Sequence, residues 1–115
     1  MDDLIRAALR FRDEREWKPF HNPKDLAISI ALEAAELLEH FQWKTPAEVE
    51  AFLQDDAARA RVGQEMADVL LLLISFADAA GLDLVEVARA KLAENARKYP
   101  VERARGSARK YDELE

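Results

Sequence analysis

The sequence predicts an all-α protein, a four-helix bundle with one short additional helix. Half of its 115 residues are hydrophobic and 35% are charged, which is typical of a globular, helix-rich chain. Three glycines and four prolines are too few for the many turns of an all-β fold. Apolar residues also recur at helical spacing through four long stretches. A chain of this length is expected to form a single domain, residues 1–115.

Short connections separate the predicted helices, and local signals mark the helix ends. Pro19 disfavours a helix at the residue before it, so residues 17–21 are expected to form a loop. Asn22 is a typical N-cap residue, and the segment Thr45–Glu48 has the pattern of a capping box. Gly81 is expected to end the longest helix, because glycine readily adopts the C′ conformation. The predicted helices are, approximately, residues 3–16, 23–41, 46–53, 56–80 and 84–98, and about 99–115 are expected to be irregular.

Composition and charge argue against several classes of protein. The net charge of −6 argues against non-specific binding to nucleic acid. The absence of cysteine excludes disulfides, thiolate zinc sites and cysteine nucleophiles, and it fits a reducing cytoplasm. The longest apolar run, Val69–Ala77, is far shorter than the ~20 residues that span a bilayer, and the acidic start Met1–Asp3 does not resemble a targeting peptide. We therefore expect a cytoplasmic protein with no nucleic-acid or membrane partner.

Two pairs of acids are the most informative feature of the chain. Glu33 and Glu36 lie in one apolar helical stretch, and Glu65 and Asp68 lie in another. The i, i+3 spacing places both acids of a pair on one helix face, ~5–6 Å apart at Cβ. Carboxylates on apolar faces repel one another unless a cation lies between them, and oxygen ligands favour a hard metal, Mg²⁺ or Mn²⁺. Acid pairs are also common on exposed helix faces, so a structural role is the alternative.

Other polar and aromatic residues are consistent with a phosphate-bearing or aromatic ligand. Three polar residues share one face of the last predicted helix: Lys91, Asn95 and Lys98. They could contact phosphates, or they could form an exposed polar stripe. Aromatic rings flank the second predicted helix at both ends: Trp17, Phe20, His21 and Trp43. The two tryptophans could enclose a nucleobase, or the rings could simply cover the core.

These motifs together resemble the all-α nucleoside triphosphate pyrophosphohydrolases of the MazG-like superfamily. The resemblance rests on Glu33-x-x-Glu36, Glu65-x-x-Asp68 and Lys91-x-x-x-Asn95-x-x-Lys98-Tyr99-Pro100. The segments Phe41-Gln42-Trp43 and Arg105–Tyr111 make the chain most similar to the small dCTP pyrophosphatase branch. The resemblance covers roughly residues 5–114, nearly the whole chain.

The resemblance implies a Mg²⁺-dependent enzyme that hydrolyses a nucleoside triphosphate, dCTP or a modified dCTP, to the monophosphate and pyrophosphate. Such an enzyme would remove unwanted nucleotides from the cellular pool, a house-cleaning role. The resemblance also implies a homo-oligomer, either a dimer or a tetramer. The alternatives are the same reaction on dUTP or another non-standard nucleotide, and a non-catalytic helical interaction module.

The resemblance also implies roles for individual residues. The implied metal ligands, which are also catalytic, are Glu33, Glu36, Glu65 and Asp68, and which of them is the general base is left open. Lys91 or Lys98 would stabilise charge on the leaving group. The implied substrate-binding residues are Trp17, Phe20, His21, Trp43, Lys91, Asn95, Tyr99, Lys110 and Tyr111. Ala8 and Leu72 stand where animal members have a histidine and a tyrosine, which puts the base preference in doubt.

Overall fold

The computed structural model describes residues 1–106, and within them every regular element is a helix. The helices are α1 (Asp2–Glu14), α2 (Pro23–Glu39), α3 (Pro46–Phe52), α4 (Asp56–Ala79), α5 (Leu84–Lys98) and α6 (Val101–Ala104). The predicted all-α class is therefore confirmed. Among the described residues, none of these helices combines the length and the apolar character needed to cross a membrane. The chain divides into two compact units, Met1–Leu82 and a second that begins at Asp83, and each is described separately below.

The helix ends follow the local signals of the sequence. The Asn22 side chain accepts a hydrogen bond from the backbone N–H of Asp25 at 2.9 Å and caps α2. Thr45 and Glu48 form both hydrogen bonds of a capping box at the start of α3. Gly81 follows α4 with a φ of 70°, a conformation that glycine adopts without the strain a side chain would impose.

Two segments are more regular than predicted. Residues Lys18–Phe20, expected as part of a loop, form one turn of 3-10 helix. Residues Val101–Ala104, expected to be irregular, form one turn of α-helix, and the backbone N–H of Ala104 donates to the carbonyl of Pro100 at 2.9 Å. In both cases a proline stands at or just before the first turn, where its missing N–H costs no hydrogen bond.

The core of the first unit lies where α2 and α1 pack against α4. Its fully buried apolar side chains are Leu26, Ala58, Ile74 and Ala77. One charged residue is equally buried, because Arg12 of α1 is only 4% exposed and donates a hydrogen bond of 2.7 Å to Asp78 of α4. This contact between residues 66 positions apart ties the first helix of the unit to the last.

Helices α2 and α4 are only partly buried in the single chain. Leu32 of α2 is 61% exposed, Met66 of α4 is 62% exposed, and Ile28 is half exposed. The apolar periodicity of these helices is real, but one chain covers only part of it. Exposed apolar surface of this kind is typical of a protein that associates with another surface.

Candidate active site

Three carboxylates from two helices meet in the first unit. Glu33 and Glu36 of α2 and Glu65 of α4 each offer an oxygen, and these oxygens lie within 4.8 Å of one another. Glu65 of α4 interacts with Glu36 and His40, at and just after the end of α2. Asp68, one turn later in α4, interacts with Glu33, one turn earlier in α2. The two helices are therefore antiparallel. That packing brings the two predicted acid pairs to one level.

The cluster is electrostatically unfavourable without a cation. Burial raises the pKa of Glu33, and the negative charges of Glu36, Asp68 and Glu65 raise it further. Burial also raises the pKa of Glu65, and Glu36 adds to that effect, while His40 opposes it from 4.0 Å. One oxygen of Glu33, Oε2, is buried and makes no hydrogen bond to any described residue. An oxygen-only donor set with an unsatisfied buried oxygen fits a hard divalent cation.

Asp68, the fourth predicted ligand, lies beside this cluster. Its charge contributes to the raised pKa of both Glu33 and Glu65, but its oxygens are not part of the group within 4.8 Å. With Glu33, Asp68 instead lines a neighbouring cavity. The structure therefore brings three of the four predicted ligands into mutual contact range and places the fourth at the edge of the cavity.

This cavity has a volume of about 530 Å³, within the ~300–1,000 Å³ of typical small-molecule sites. Its walls come from α1, α2, α4 and the aromatic segment between α1 and α2. The lining residues are Leu4, Ala7, Ala8, Phe11, Arg12, Trp17, His21, Glu33, Asp68, Leu71, Leu72 and Ser75. The wall is thus mostly apolar. Its acids are Glu33 and Asp68, and its other polar side chains include Arg12, His21 and Ser75.

The predicted aromatic residues divide into two groups. Trp17 and His21 line the cavity, and the Trp17 ring meets Phe11 edge to face with centroids 5.7 Å apart. The Nδ1 atom of His21 is buried and makes no hydrogen bond to a described residue. Phe20 is 73% exposed and Trp43 is 88% exposed, and neither lines this cavity. Within one chain, the structure does not bring the two tryptophans together around one ligand.

The predicted phosphate-binding residues lie in the second unit, on and just after α5. Lys98 Nζ lies 2.8 Å from Glu94 Oε1, and Lys91 Nζ lies 3.6 Å from Glu94 Oε2. The hydrogen bond from Lys98 and the charge of Lys91 hold the pKa of Glu94 below its usual range. The backbone carbonyl of Asn95 accepts a hydrogen bond of 2.8 Å from the backbone N–H of Tyr99, the residue that follows α5. The two remaining predicted residues, Lys110 and Tyr111, lie outside the described residues.

Sequence reasoning missed Arg12. This residue lines the cavity although its side chain is almost fully buried. A signal was present, because Arg12 follows Ala8 by one helical turn on the apolar stripe of α1, where a charge is unexpected. Its partner Asp78 likewise ends the longest apolar run of the chain.

Comparison with known proteins agrees with this geometry. The profile of the MazG-like family matches residues 28–114, and a crystal structure of a pyrophosphatase from Archaeoglobus fulgidus superposes with a TM-score of 0.78 and 40% identity. The chain belongs to the MazG-like family. That superposition covers 87% of this chain and 92% of the archaeal protein. It confirms the predicted fold.

Two curated members of the family extend the match over almost the whole chain. The dCTP pyrophosphatase 1 of Homo sapiens is 38% identical over 114 residues, and that of Rattus norvegicus is 37% identical over the same length. Each alignment covers 99% of this chain and 67% of the relative. The prediction of a hydrolase is confirmed by these relatives.

Proposed function

We propose that the chain is a Mg²⁺-dependent nucleoside triphosphate pyrophosphohydrolase that converts dCTP, or a modified dCTP, to the monophosphate and pyrophosphate. The observation that carries the proposal is the cluster of Glu33, Glu36 and Glu65 beside a cavity with an aromatic wall. A cation-binding cluster suits the polyphosphate of such a substrate, and an apolar aromatic wall suits its base. Family membership and the dCTP pyrophosphatase relatives support the same reaction. Its role would be house-cleaning of the nucleotide pool.

The proposed metal ligands are Glu33, Glu36, Glu65 and Asp68. The unsatisfied Oε2 of Glu33 and the raised pKa values of Glu33 and Glu65 support this assignment. A bound Mg²⁺, or Mn²⁺, supplies positive charge to the phosphate oxygens and lowers the pKa of a bound water. A carboxylate of the cluster accepts the proton of the attacking water.

The remaining contacts are proposed from the family pattern. Trp17 and His21 would hold the base, because they line the cavity that reaches Glu33. Lys91 and Lys98 would stabilise negative charge on the departing pyrophosphate. The other residues that we propose to contact the substrate are Asn95, Tyr99, Lys110, Tyr111 and Phe20.

We also propose that the active protein is a homo-oligomer in the cytoplasm. Leu32 and Met66 expose apolar side chains on the two central helices, and a second copy would cover them. Trp43 is almost fully exposed, so it would reach a nucleotide only in the cavity of another copy. The absence of cysteine fits a reducing compartment.

One observation favours a second candidate, the same reaction on dUTP or another non-standard nucleotide. Ala8 and Leu72 both line the cavity and carry no hydrogen-bonding group on their side chains. An apolar wall rejects a wrong base only weakly, which would widen the range of bases accepted. We therefore expect a preference for dCTP with partial acceptance of dUTP and dTTP.

The test is a panel of deoxynucleoside triphosphates with and without Mg²⁺, in which pyrophosphate and monophosphate are both quantified. We expect pyrophosphate release that requires the metal and is fastest with dCTP. Release of orthophosphate and a diphosphate would contradict the reaction class. No release from any nucleotide would instead favour a non-catalytic helical interaction module.

A further inference from the structure

The cavity contains one buried cation that the metal chemistry does not use. Arg12 is 4% exposed, yet its side chain forms part of the cavity wall. Its Nη1 donates to Asp78 Oδ2 at 2.7 Å, and its Nε donates to Asp13 Oδ1 at 2.9 Å. Nη2 also contacts Asp13 Oδ1, at 2.8 Å. The guanidinium is therefore held in one orientation by acids on α1 and α4.

Charge balance makes Arg12 a poor phosphate ligand. One guanidinium faces two carboxylates, so the local charge of Arg12, Asp13 and Asp78 is −1. Burial disfavours the charged form, but the hydrogen bonds to Asp78 and Asp13 outweigh it and raise the pKa of Arg12, which stays protonated. A triphosphate would be repelled by the net charge. A neutral polar group would still be attracted to the N–H donors.

Donors remain for such a group. A guanidinium carries five N–H groups, and the contacts among the described residues engage one on Nε, one on Nη1 and one on Nη2. One N–H on each of the two Nη atoms is left. Buried donors of a charged group are costly to leave unpaired, and the open space beside this one is the cavity.

Arg12 of α1 contacts α4 at Asp78, at some distance along α4 from the proposed metal ligands. Its partner Asp78 follows Asp68 by ten residues, which is roughly 15 Å along a helix. Arg12 and Trp17 both line the cavity, and the backbone N–H of Trp17 donates to the carbonyl of Arg12 at 3.1 Å, so the two residues are neighbours at that end of the wall. With the phosphates at the acids, that end receives the base.

We propose that Arg12, positioned by Asp78 and Asp13, is a specificity-determining residue that donates hydrogen bonds to two adjacent acceptors of the base, N3 and O2 of cytosine. A planar fork matches two neighbouring acceptors, whereas thymine and uracil present an N3–H donor between two carbonyls. Arg12 would thus supply the polar contact that Ala8 and Leu72 do not. This inference rests on the proposed function, because it assigns a role within the same cavity.

The wild-type enzyme provides the first test, through the analogue 3-deaza-dCTP, in which a C–H replaces N3 while O2 and the amino group stay. We expect the KM for this analogue to be about tenfold above that for dCTP, with little change in kcat, because the contact is made equally in ground and transition states. Equal KM values would overturn the role of Arg12. This comparison uses only the wild-type protein, so its result does not depend on whether a variant folds.

Variants then assign the effect to Arg12. Arg12→Lys keeps the charge but loses the planar fork, and the double change Arg12→Met with Asp78→Leu replaces the buried ion pair by apolar side chains, an exchange that proteins often tolerate. In both, the KM ratio of 3-deaza-dCTP to dCTP should fall to about one. The control is Arg6→Met, because Arg6 is an exposed residue of α1 that pairs with Asp3 and does not line the cavity. It should keep the wild-type ratio.

Three outcomes would contradict the inference in different ways. If Arg12 only braces α1 against α4, its variants will lower the melting temperature and shift all KM values together, and the ratio will not change. If wild-type protein releases no pyrophosphate from any nucleotide with Mg²⁺, the proposed function fails, and the role of Arg12 fails with it. Hydrolysis of dCTP without discrimination against the analogue would overturn the role of Arg12 alone.

Discussion

The two ends of the cavity differ in whether buried charges lie beside charges of the same sign or of the opposite sign. Near one end, Glu33, Glu36 and Glu65 bring carboxylates within 4.8 Å of one another, and burial raises the pKa of two of them. At the other end, Arg12 is more deeply buried than any of these acids, yet its charge is matched by Asp78 and Asp13. Burial alone therefore does not show whether the charge of a site is already matched by neighbouring residues.

The two ends also differ in how far neighbouring residues supply hydrogen-bond partners to the buried charged groups. Arg12 and Asp78 pair in the free protein and hold α1 against α4, while two N–H groups of the guanidinium are left over. Glu33 has an oxygen without a hydrogen-bond partner among the described residues, and the proposed cation would supply one. The two proposed sites thus differ in what the free protein already supplies, which is acidic partners at Arg12 and an unpaired oxygen at Glu33.

The largest expected effect is on catalysis at the acid end. Asp68→Asn removes one negative charge beside Glu33 and should lower kcat by ~10²–10³, the scale seen when a principal electrostatic contributor is lost. Pyrophosphate release from dCTP at saturating Mg²⁺ measures it. Glu39→Gln, which removes a carboxylate of α2 outside the cluster, is the control and should retain wild-type kcat. Similar rates for both variants would exclude Asp68 from the catalytic group.

A smaller effect is expected where the base binds. Trp17→Ala should raise KM by about tenfold and change kcat little, because stacking of a base on an aromatic ring contributes ~1–3 kcal/mol and is present throughout the reaction. Nucleotide binding should also quench tryptophan fluorescence, since Trp17 and Trp43 are the only tryptophans in the chain. Quenching that survives intact in Trp17→Ala would contradict the placement of the base.

Trp43→Ala tests whether the base-binding site is formed by one chain or by two copies of the chain. Trp43 is 88% exposed and does not line the cavity of its own chain. In an isolated chain its removal should leave KM unchanged. A rise in KM comparable with that of Trp17→Ala, in protein shown to be oligomeric by light scattering, would place this ring in the cavity of a neighbouring copy.

The sequence was most informative where the relevant pattern is local. The i, i+3 spacing of the acids and the capping residues Asn22 and Thr45 each depend on a few neighbouring positions. These parts of the fold and of the candidate site could be predicted for that reason. The convergence of the two acid pairs could not, because α3 lies between α2 and α4 and the antiparallel rule for helices joined by a short connection does not apply to them.

The remainder depends on contacts that no local pattern encodes. Arg12 and Asp78 are 66 residues apart, and their pairing requires the relative rotation of α1 and α4. The exposed faces at Leu32 and Met66 have the same periodicity as a buried core, so the sequence does not show which apolar positions one chain covers. The pairing of Arg12 with Asp78 and the exposure of Leu32 and Met66 therefore emerged only from the three-dimensional structure.

The smallest expected effect is a pH dependence of the metal-free stability. The pKa of Glu65 is raised in the folded chain, mainly by burial, so the folded state holds this proton more tightly than the unfolded state does. Its contribution to the free energy of unfolding is then complete below the ordinary carboxyl pKa of ~4.3 and is lost as pH rises through the raised value. In EDTA, wild-type protein should lose this stability with rising pH, and Glu65→Gln should lose less, because only the raised pKa of Glu33 remains.

Mg²⁺ should reverse that dependence, because the ion binds deprotonated carboxylates and stabilises only the folded state. Melting temperatures at pH 5 and pH 7, with EDTA or Mg²⁺, measure both effects, and Glu65→Gln should also lose the increase caused by Mg²⁺. Glu48→Gln is a control of opposite sign, because backbone hydrogen bonding at Thr45 lowers the pKa of Glu48, and its stabilising contribution is lost as pH falls. If Glu65→Gln is instead less stable than wild-type protein at pH 7 in EDTA, the carboxylate is a structural group and the acid end does not depend on a cation.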